Sequence, residues 1–307
     1  VGEPRLGGPG WRAGEPGPWV LRVTWVALPF TVGPLLATAL DPRSLGVQRA
    51  ATVGAWAAWA VALGAMLVPR TVSLTLVRTV VPGAVAAAAW AATVGAPPDL
   101  APWKPAVGLA GAVLAAAAAL SPLTGDAFVN GSAYGDERRL ALRVPGPVLA
   151  LVPFVWAATA AGVVTGPLLL AAGQVVAGAV ALAAGLAVVP LGSRSLHGLA
   201  RRWVVFVPAG LVLHDRLGLA DPVLFPRRMV ARLGPAPAGA DTEPGTLDVT
   251  ARAPGLVLLV ELTEVLPVAV PGGRREGSTV DTRRILFTPT RPGAVLSEAR
   301  ARRLPGG

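Results

Sequence analysis

The sequence predicts an α-helical membrane bundle of six transmembrane helices, followed by a small all-β barrel or sandwich with a C-terminal capping helix. Three observations lead there. Of 307 residues, 53% are hydrophobic and only 14% charged, against roughly 25% charged in an average soluble domain, so much of the apolar surface needs lipid. Six apolar stretches approach the roughly 20 residues a helix needs to cross a bilayer core. After Pro190, long apolar runs give way to short ones bounded by Pro and Gly, and residues 192–307 carry sixteen arginines and ten acids.

Residues 1–18, VGEPRLGGPGWRAGEPGP, lack the apolar core of a secretory signal, and their Gly and Pro predict a disordered cytosolic leader. A transmembrane domain over 19–190 follows, with spans near 20–40, 50–68, 72–95, 105–120, 147–164 and 168–189 and a polar loop at 121–146. Short flanks rich in Lys and Arg stay on the cytoplasmic side. With the N-terminus inside, eleven arginines flank the inner ends, among them Arg138, Arg139, Arg143, Arg194, Arg201 and Arg202. Only Arg43, Arg49 and Lys104 flank the outer ends. This places the protein in the cytoplasmic membrane with both termini and loop 124–147 cytoplasmic.

The spans lack central Asp, Glu, Lys and His, and Arg22 and Arg78 sit near enough to inner ends to snorkel. Gln174 is the one strongly polar side chain expected inside an apolar core, where an interhelical hydrogen bond is its plain role and a transport path the alternative. Dense small residues, as in 162–166 and 173–185, predict close helix packing and leave homo-oligomerisation open. Trp19, Trp25 and Trp103 suit interfacial belts, whereas Trp56, Trp59 and Trp90 are expected between helices.

The C-terminal part, 191–307, opens with the basic stretch SRSLHGLARR, expected as a short amphipathic helix on anionic headgroups. WVVFVPAGLVLHD reads as a hairpin of strands 203–207 and 211–215 around Pro208-Ala209-Gly210. Strands follow near 223–225, 229–233, 246–251, 256–263, 265–270 and 284–288. A last helix has Thr290 as its cap, Pro292 in its first turn, and Val295, Leu296 and Ala299 on one face. The hairpin, PVLFPRRMVARLG and the closing ILFTPTRPGAVLSEARAR resemble the bacterial pleckstrin-homology-like domains of multi-pass membrane proteins. The whole chain is similar to uncharacterised multi-pass membrane proteins of actinobacteria. The resemblance implies a seven-stranded barrel capped by a helix and used as a docking platform. Phosphoinositide-binding members carry basic residues in the first hairpin loop; here that turn is Pro208-Ala209-Gly210, so headgroup recognition does not follow from the resemblance.

Catalytic signals are sparse. Cysteine is absent, which excludes disulfides, thiolate nucleophiles and cysteine metal sites. His197 and His214 are the only histidines, and no Gly-rich phosphate loop, nucleophile elbow or zinc-protease motif occurs. Adjacent strand residues point to opposite faces, so His214 and Asp215 form no dyad. No cofactor, metal or nucleic-acid partner is expected. Lys104 is the only lysine, an arginine bias expected of a GC-rich genome. The polar loop TGDAFVNGSAYGDERRLALRVPGP contains Asn130-Gly131, a favoured type I′ pair, which predicts a hairpin over 128–134. The expected function is a non-enzymatic anchor or scaffold whose loop and β domain form a protein-docking face. Asp126, Phe128, Asn130, Gly131, Tyr134, Asp136, Glu137, Arg138 and Arg139 are its candidates, while Arg143, Arg194, Arg201 and Arg202 contact anionic lipid. Alternatives are a small-molecule or lipid transporter, or its accessory subunit, with Gln174 and the proline breaks at Pro29, Pro34, Pro82 and Pro153 lining a pathway, and a membrane-embedded enzyme using Asp126, Asp136 or Glu137.

Overall fold

The computed structural model describes residues 16–94, 101, 103–271 and 278–306, so nearly all of the expected leader lies outside the described residues. They divide into two compact units: a helical one up to Phe128 and again over 153–197, and a β-rich one formed by 129–152 together with 198 onwards.

The helical unit contains α1 (Pro16–Thr31), α2 (Gly33–Leu40), α3 (Leu45–Leu67), α4 (Thr71–Val94), α5 (Trp103–Leu120) and α6 (Pro122–Asn130). After α7 (Gly146–Leu149) come α8 (Val152–Ala171) and α9 (Val175–Ala200). Six stretches are long and apolar enough to cross a membrane: Pro18–Leu40, Leu45–Leu67, Thr71–Val94, Trp103–Leu120, Gly146–Ala171 and Val175–Ala200. They mark a multi-pass membrane protein.

Two boundaries differ from expectation, both because a proline continues a helix where its sequence suggests a stop. Pro167 lies inside α8 and Pro190 inside α9. The turn between these helices falls at Gly173, whose φ of 78° is the left-handed conformation that ends helices and suits glycine. Gln174 therefore occupies an exposed turn instead of an apolar core, with its N–H bonded to the Leu169 carbonyl at 2.9 Å. The expected separate amphipathic helix is the end of α9.

Small residues let α8 and α9 meet backbone to backbone. A Cβ at Gly166 would sit 2.9 Å from the Leu182 Cα, and one at Gly162 would sit 3.2 Å from the Gly185 Cα. Such contact replaces a missing hydrophobic drive between helices in lipid with dispersion. Trp25 and Trp59 exchange indole N–H bonds to each other's carbonyls at 3.0 and 3.1 Å, tying α1 to α3. Trp25 is thus interhelical, while Trp56 is 54% exposed on the lateral surface, the reverse of their expected places. Arg22 donates to the Met66 carbonyl at 2.8 Å, satisfying an acceptor at the end of α3 that the helix itself leaves open.

The β-rich unit has strands β1 (Arg138–Ala141), β2 (Arg202–Val207), β3 (Gly210–Asp215), β4 (Val223–Pro226), β5 (Val230–Pro235), β6 (Thr246–Asp248), β7 (Leu258–Val270) and β8 (Ser278–Phe287), then α10 (Pro292–Ala301). They form two four-stranded sheets, β1-β2-β3-β4 and β5-β7-β8-β6, and among the described residues these do not close into a barrel. The expected hairpin is β2–β3, with Trp203 opposite His214. The runs expected at 256–263 and 265–270 are one strand, β7, interrupted by an irregular register between Glu261 and Leu266. Inward residues of both sheets share one core with Val295 and Ala299 of α10. Thr290 does not cap α10: the capping position is Arg291, and the Thr290 hydroxyl donates to the Ala141 carbonyl at 3.0 Å.

Candidate functional site: the loop built into the β unit

Loop 124–147 is not a free hairpin. Its first half forms α6, because Thr124 and Phe128 are buried one helical turn apart, at 0% and 1% exposure. Thr124 Oγ1 donates to the Ala118 carbonyl at 2.7 Å. The helix ends at Asn130, with Gly131 in the turn that follows. The second half forms β1, paired antiparallel with β2 from Arg138 opposite Phe206 to Ala141 opposite Trp203.

Backbone bonds stitch the strand on both sides. Leu142 N–H donates to the Arg202 carbonyl at 3.0 Å, Arg143 N–H to the Thr288 carbonyl at 2.9 Å, and Thr290 N–H to the Ala141 carbonyl at 2.9 Å. Leu140 and Leu142 enter the shared core. Each such leucine contributes about 2 kcal/mol by burial alone. The β unit is therefore discontinuous in sequence, and its core includes residues that precede the fifth apolar helix.

The turn between α6 and β1 is fixed by a small polar network. Asn130 Oδ1 accepts the Arg139 N–H at 2.9 Å, and Arg139 binds Ser132 at 2.8 Å and Glu137 at 2.9 Å. The Asp136 carbonyl accepts from the Arg302 guanidinium beyond α10. Tyr134 stands 88% exposed on this turn, beside exposed Gly131 and Asp136. Glu137, Arg138 and Arg139 are half-buried.

Three docking candidates are removed from any free surface. Phe128 and Asn130 are buried, and Asp126, 1% exposed, faces the Arg78 guanidinium of α4 as an opposite charge. Arg78, half-buried in α4, thus has an opposite charge within electrostatic reach, a relation that 47 intervening residues concealed from the sequence. Among the lipid candidates, Arg202 is corrected outright: it is 3% exposed and paired with Asp215, Nε to Oδ1 at 2.7 Å and Nη2 to Oδ2 at 2.6 Å. It also donates to the Arg143 carbonyl, joining the pair to the loop. Arg143 is half-buried against Gly255, where a Cβ would fall 2.8 Å from its Nε. Arg194 is exposed on α9 and Arg201 is half-buried just after it.

One constellation went unnoticed in the sequence. On the outer face of the β1–β4 sheet, His214 stacks on Trp203 with centroids 4.5 Å apart and planes 7° from parallel. Arg139 lies over the same indole at 5.9 Å. His214 Nε2 and Arg139 Nε are buried without a hydrogen-bond partner. Burial holds the His214 pKa below the ordinary imidazole value, aided by the positive charges of Arg201, Arg216 and Arg139 and opposed by Asp215. Alternation along β3 is the signal that separates it from Asp215: one points outward, the other into the buried pair.

A cavity of about 390 Å³ lies between the β2–β3 turn and the end of α10, lined in part by Arg227, Arg302 and Arg303. Arg227 there donates to the Arg302 and Arg303 carbonyls, just beyond the helix. Among the described residues, no three His, Asp or Glu side chains gather as metal ligands. No protein-family model, curated protein or solved structure matches the chain.

Proposed function

We propose that the protein is a membrane anchor or scaffold whose loop and C-terminal β unit together form one protein-docking face on the cytoplasmic side. The observation that carries this reading is the pairing of β1 with β2, which makes a segment between two apolar helices part of the β unit's own core. A platform held to the membrane at Gly146 and again at Ala200 is restrained at two points of the chain, as an anchored docking module requires. Tyr134 is the aromatic it presents, with Gly131, Asp136 and the Glu137–Arg139 pair around it. The charge asymmetry of the short flanks supports the cytoplasmic orientation. The strand-and-helix pattern supports a pleckstrin-homology-like reading of the unit, as a two-sheet sandwich.

The test is site-specific photo-crosslinking from position 134 in native membranes, with position 241 on another exposed loop as control. A discrete adduct from 134 alone, lost on adding Asp136→Arg, is the expected result; equal or absent adducts at both positions remove the docking face. The transport reading loses Gln174 to an exposed turn, and what supports it is Pro29 and Pro82 inside α1 and α4 and the attraction between half-buried Arg78 and buried Asp126, since charge inside a bundle is costly and marks function.

A further inference from the structure

The outer face of the β1–β4 sheet concentrates positive charge at the end of the β2–β3 ladder. Its last paired rung is Arg202 opposite Asp215, which neutralise each other. Just beyond that rung stand Arg201 and Arg216, neither with an acidic partner among the described residues. Both lie just outside the paired strands, Arg201 half-buried and Arg216 exposed, so their charges are open to an anion arriving from outside the sheet. His214 is next to them, with a buried Nε2 that nothing satisfies, and its other face is closed by Trp203.

The charged groups around the imidazole are Arg201 from the end of α9, Arg216 after β3, Arg139 from β1 and the acid Asp215. Arg139 is already paired with Glu137 and Asp215 with Arg202, which leaves Arg201 and Arg216 uncompensated. This is the opposite end of the hairpin from the uncharged Pro208-Ala209 turn.

We infer that this end of the sheet, formed by Arg201, Trp203, His214 and Arg216, binds the phosphate of an anionic phospholipid headgroup. Lipid is the source because of chain connectivity. Arg201 directly follows Ala200, the last residue of the sixth apolar helix, and residues 142–145 alone separate β1 from Gly146 at the start of the fifth. Both strands therefore begin or end within a short reach of a bilayer surface. Arginine suits phosphate because its planar fork donates two parallel bonds, and tryptophan suits an interface that is wet on one side only. The site rests on the membrane reading but needs no protein partner, so it stands or falls apart from the docking face.

The experiment uses the full chain in nanodiscs with ¹⁵N-labelled histidine. His197 belongs to the helical unit and His214 to the β unit, so each resonance reports one of them. Exchanging phosphatidylcholine for phosphatidylglycerol is expected to raise the titration midpoint of His214 by about one pH unit, beyond the roughly half unit that a surface potential near −30 mV gives any nearby group. In Arg201→Gln/Arg216→Gln only that general half unit should remain, with the His197 resonance the same as in wild type under each lipid as the control for folding. An equal shift in wild type and double variant overturns the site, as does no shift at all. A third arm adds inorganic phosphate to phosphatidylcholine discs: a rise matching that of the anionic lipid would make this a soluble-phosphate site and overturn the lipid assignment.

Discussion

The two halves of loop 122–143 lie next to each other in sequence and fold by different rules. The first is a helix that buries Thr124, Asp126 and Phe128 in the helical unit. The second is a strand that buries Leu140 and Leu142 in the β unit. Each half lies at an arginine–aspartate relation, half-buried Arg78 with buried Asp126 in one and the buried Arg202–Asp215 pair beside the other. The difference shows how a short connection serves two solvents: helix satisfies backbone polar groups internally next to an apolar bundle, whereas a strand satisfies them only by joining a sheet.

The largest effect should come from detaching the strand half. Leu140→Asp places a charge in the shared core and is expected to unfold the β unit while the helical unit persists; Leu140→Ala should cost about 2–5 kcal/mol. Hydrogen exchange on peptides covering β2 and β3 measures it, and the His197 resonance reads the helical unit independently. A fragment starting at 198 lacks a core strand, and adding a peptide of residues 129–145 should restore its protection. A fragment folded without that peptide would break the comparison.

Next in size is the buried pair beside the strand. Asp215→Ala leaves the Arg202 guanidinium buried with its charge uncompensated, at a cost of about 3–5 kcal/mol. Arg202→Met/Asp215→Leu removes both charges and should recover most of that loss, because burying an ion pair costs solvation that a packed apolar pair does not. Denaturant midpoints of the β unit distinguish these outcomes. If the double variant is as unstable as the single, the bonds from Arg202 to the loop carbonyl matter more than the charge balance.

Asn130 is where the halves meet, and its side chain holds the first strand residue it can reach, the Arg139 N–H. Asn130→Ala leaves that N–H without its acceptor at a buried junction, an effect of about 1–3 kcal/mol. Exchange should rise at Arg139 and the neighbouring turn first, with α6 and β2 changing little. Loss of α6 protection to the same extent would mean that the halves are one cooperative element.

What was legible follows from which interactions are local. Six spans, the β2–β3 hairpin and the buried face of α10 are each written in the period or composition of one continuous stretch, and the structure has them. Prolines at 167 and 190 misled because a helix in a bundle tolerates a lost N–H when neighbours pack against it. Asn130-Gly131 misled because the same pair ends helices and turns hairpins, and burial of Phe128 decided between them. The pairing of β1 with β2 spans more than sixty residues and an entire helical hairpin, so no local pattern could announce it. Arg202 had the sequence context of a lipid contact, next to Arg201 and eight residues from Arg194, and only the register that sets it opposite Asp215 reveals a buried ion pair.

The smallest effect is a pH dependence confined to the β unit. The His214 pKa lies below the ordinary value of 6.5, through burial first and then Arg201, Arg216 and Arg139. The unfolded imidazole therefore binds a proton at a pH where the folded one does not. Stability from this group is fully present above about pH 6.5 and is lost as pH falls below it, until the folded pKa is reached and the loss is complete. In wild type the denaturant midpoint of the β unit should fall through this window more steeply than in His214→Gln, since the variant carries no titrating ring. Carboxylates contribute the same background to both proteins, so the difference between the curves isolates the imidazole. Arg201→Gln/Arg216→Gln should flatten that difference part of the way, in proportion to the repulsion it removes, while the helical unit's midpoint stays parallel in all three.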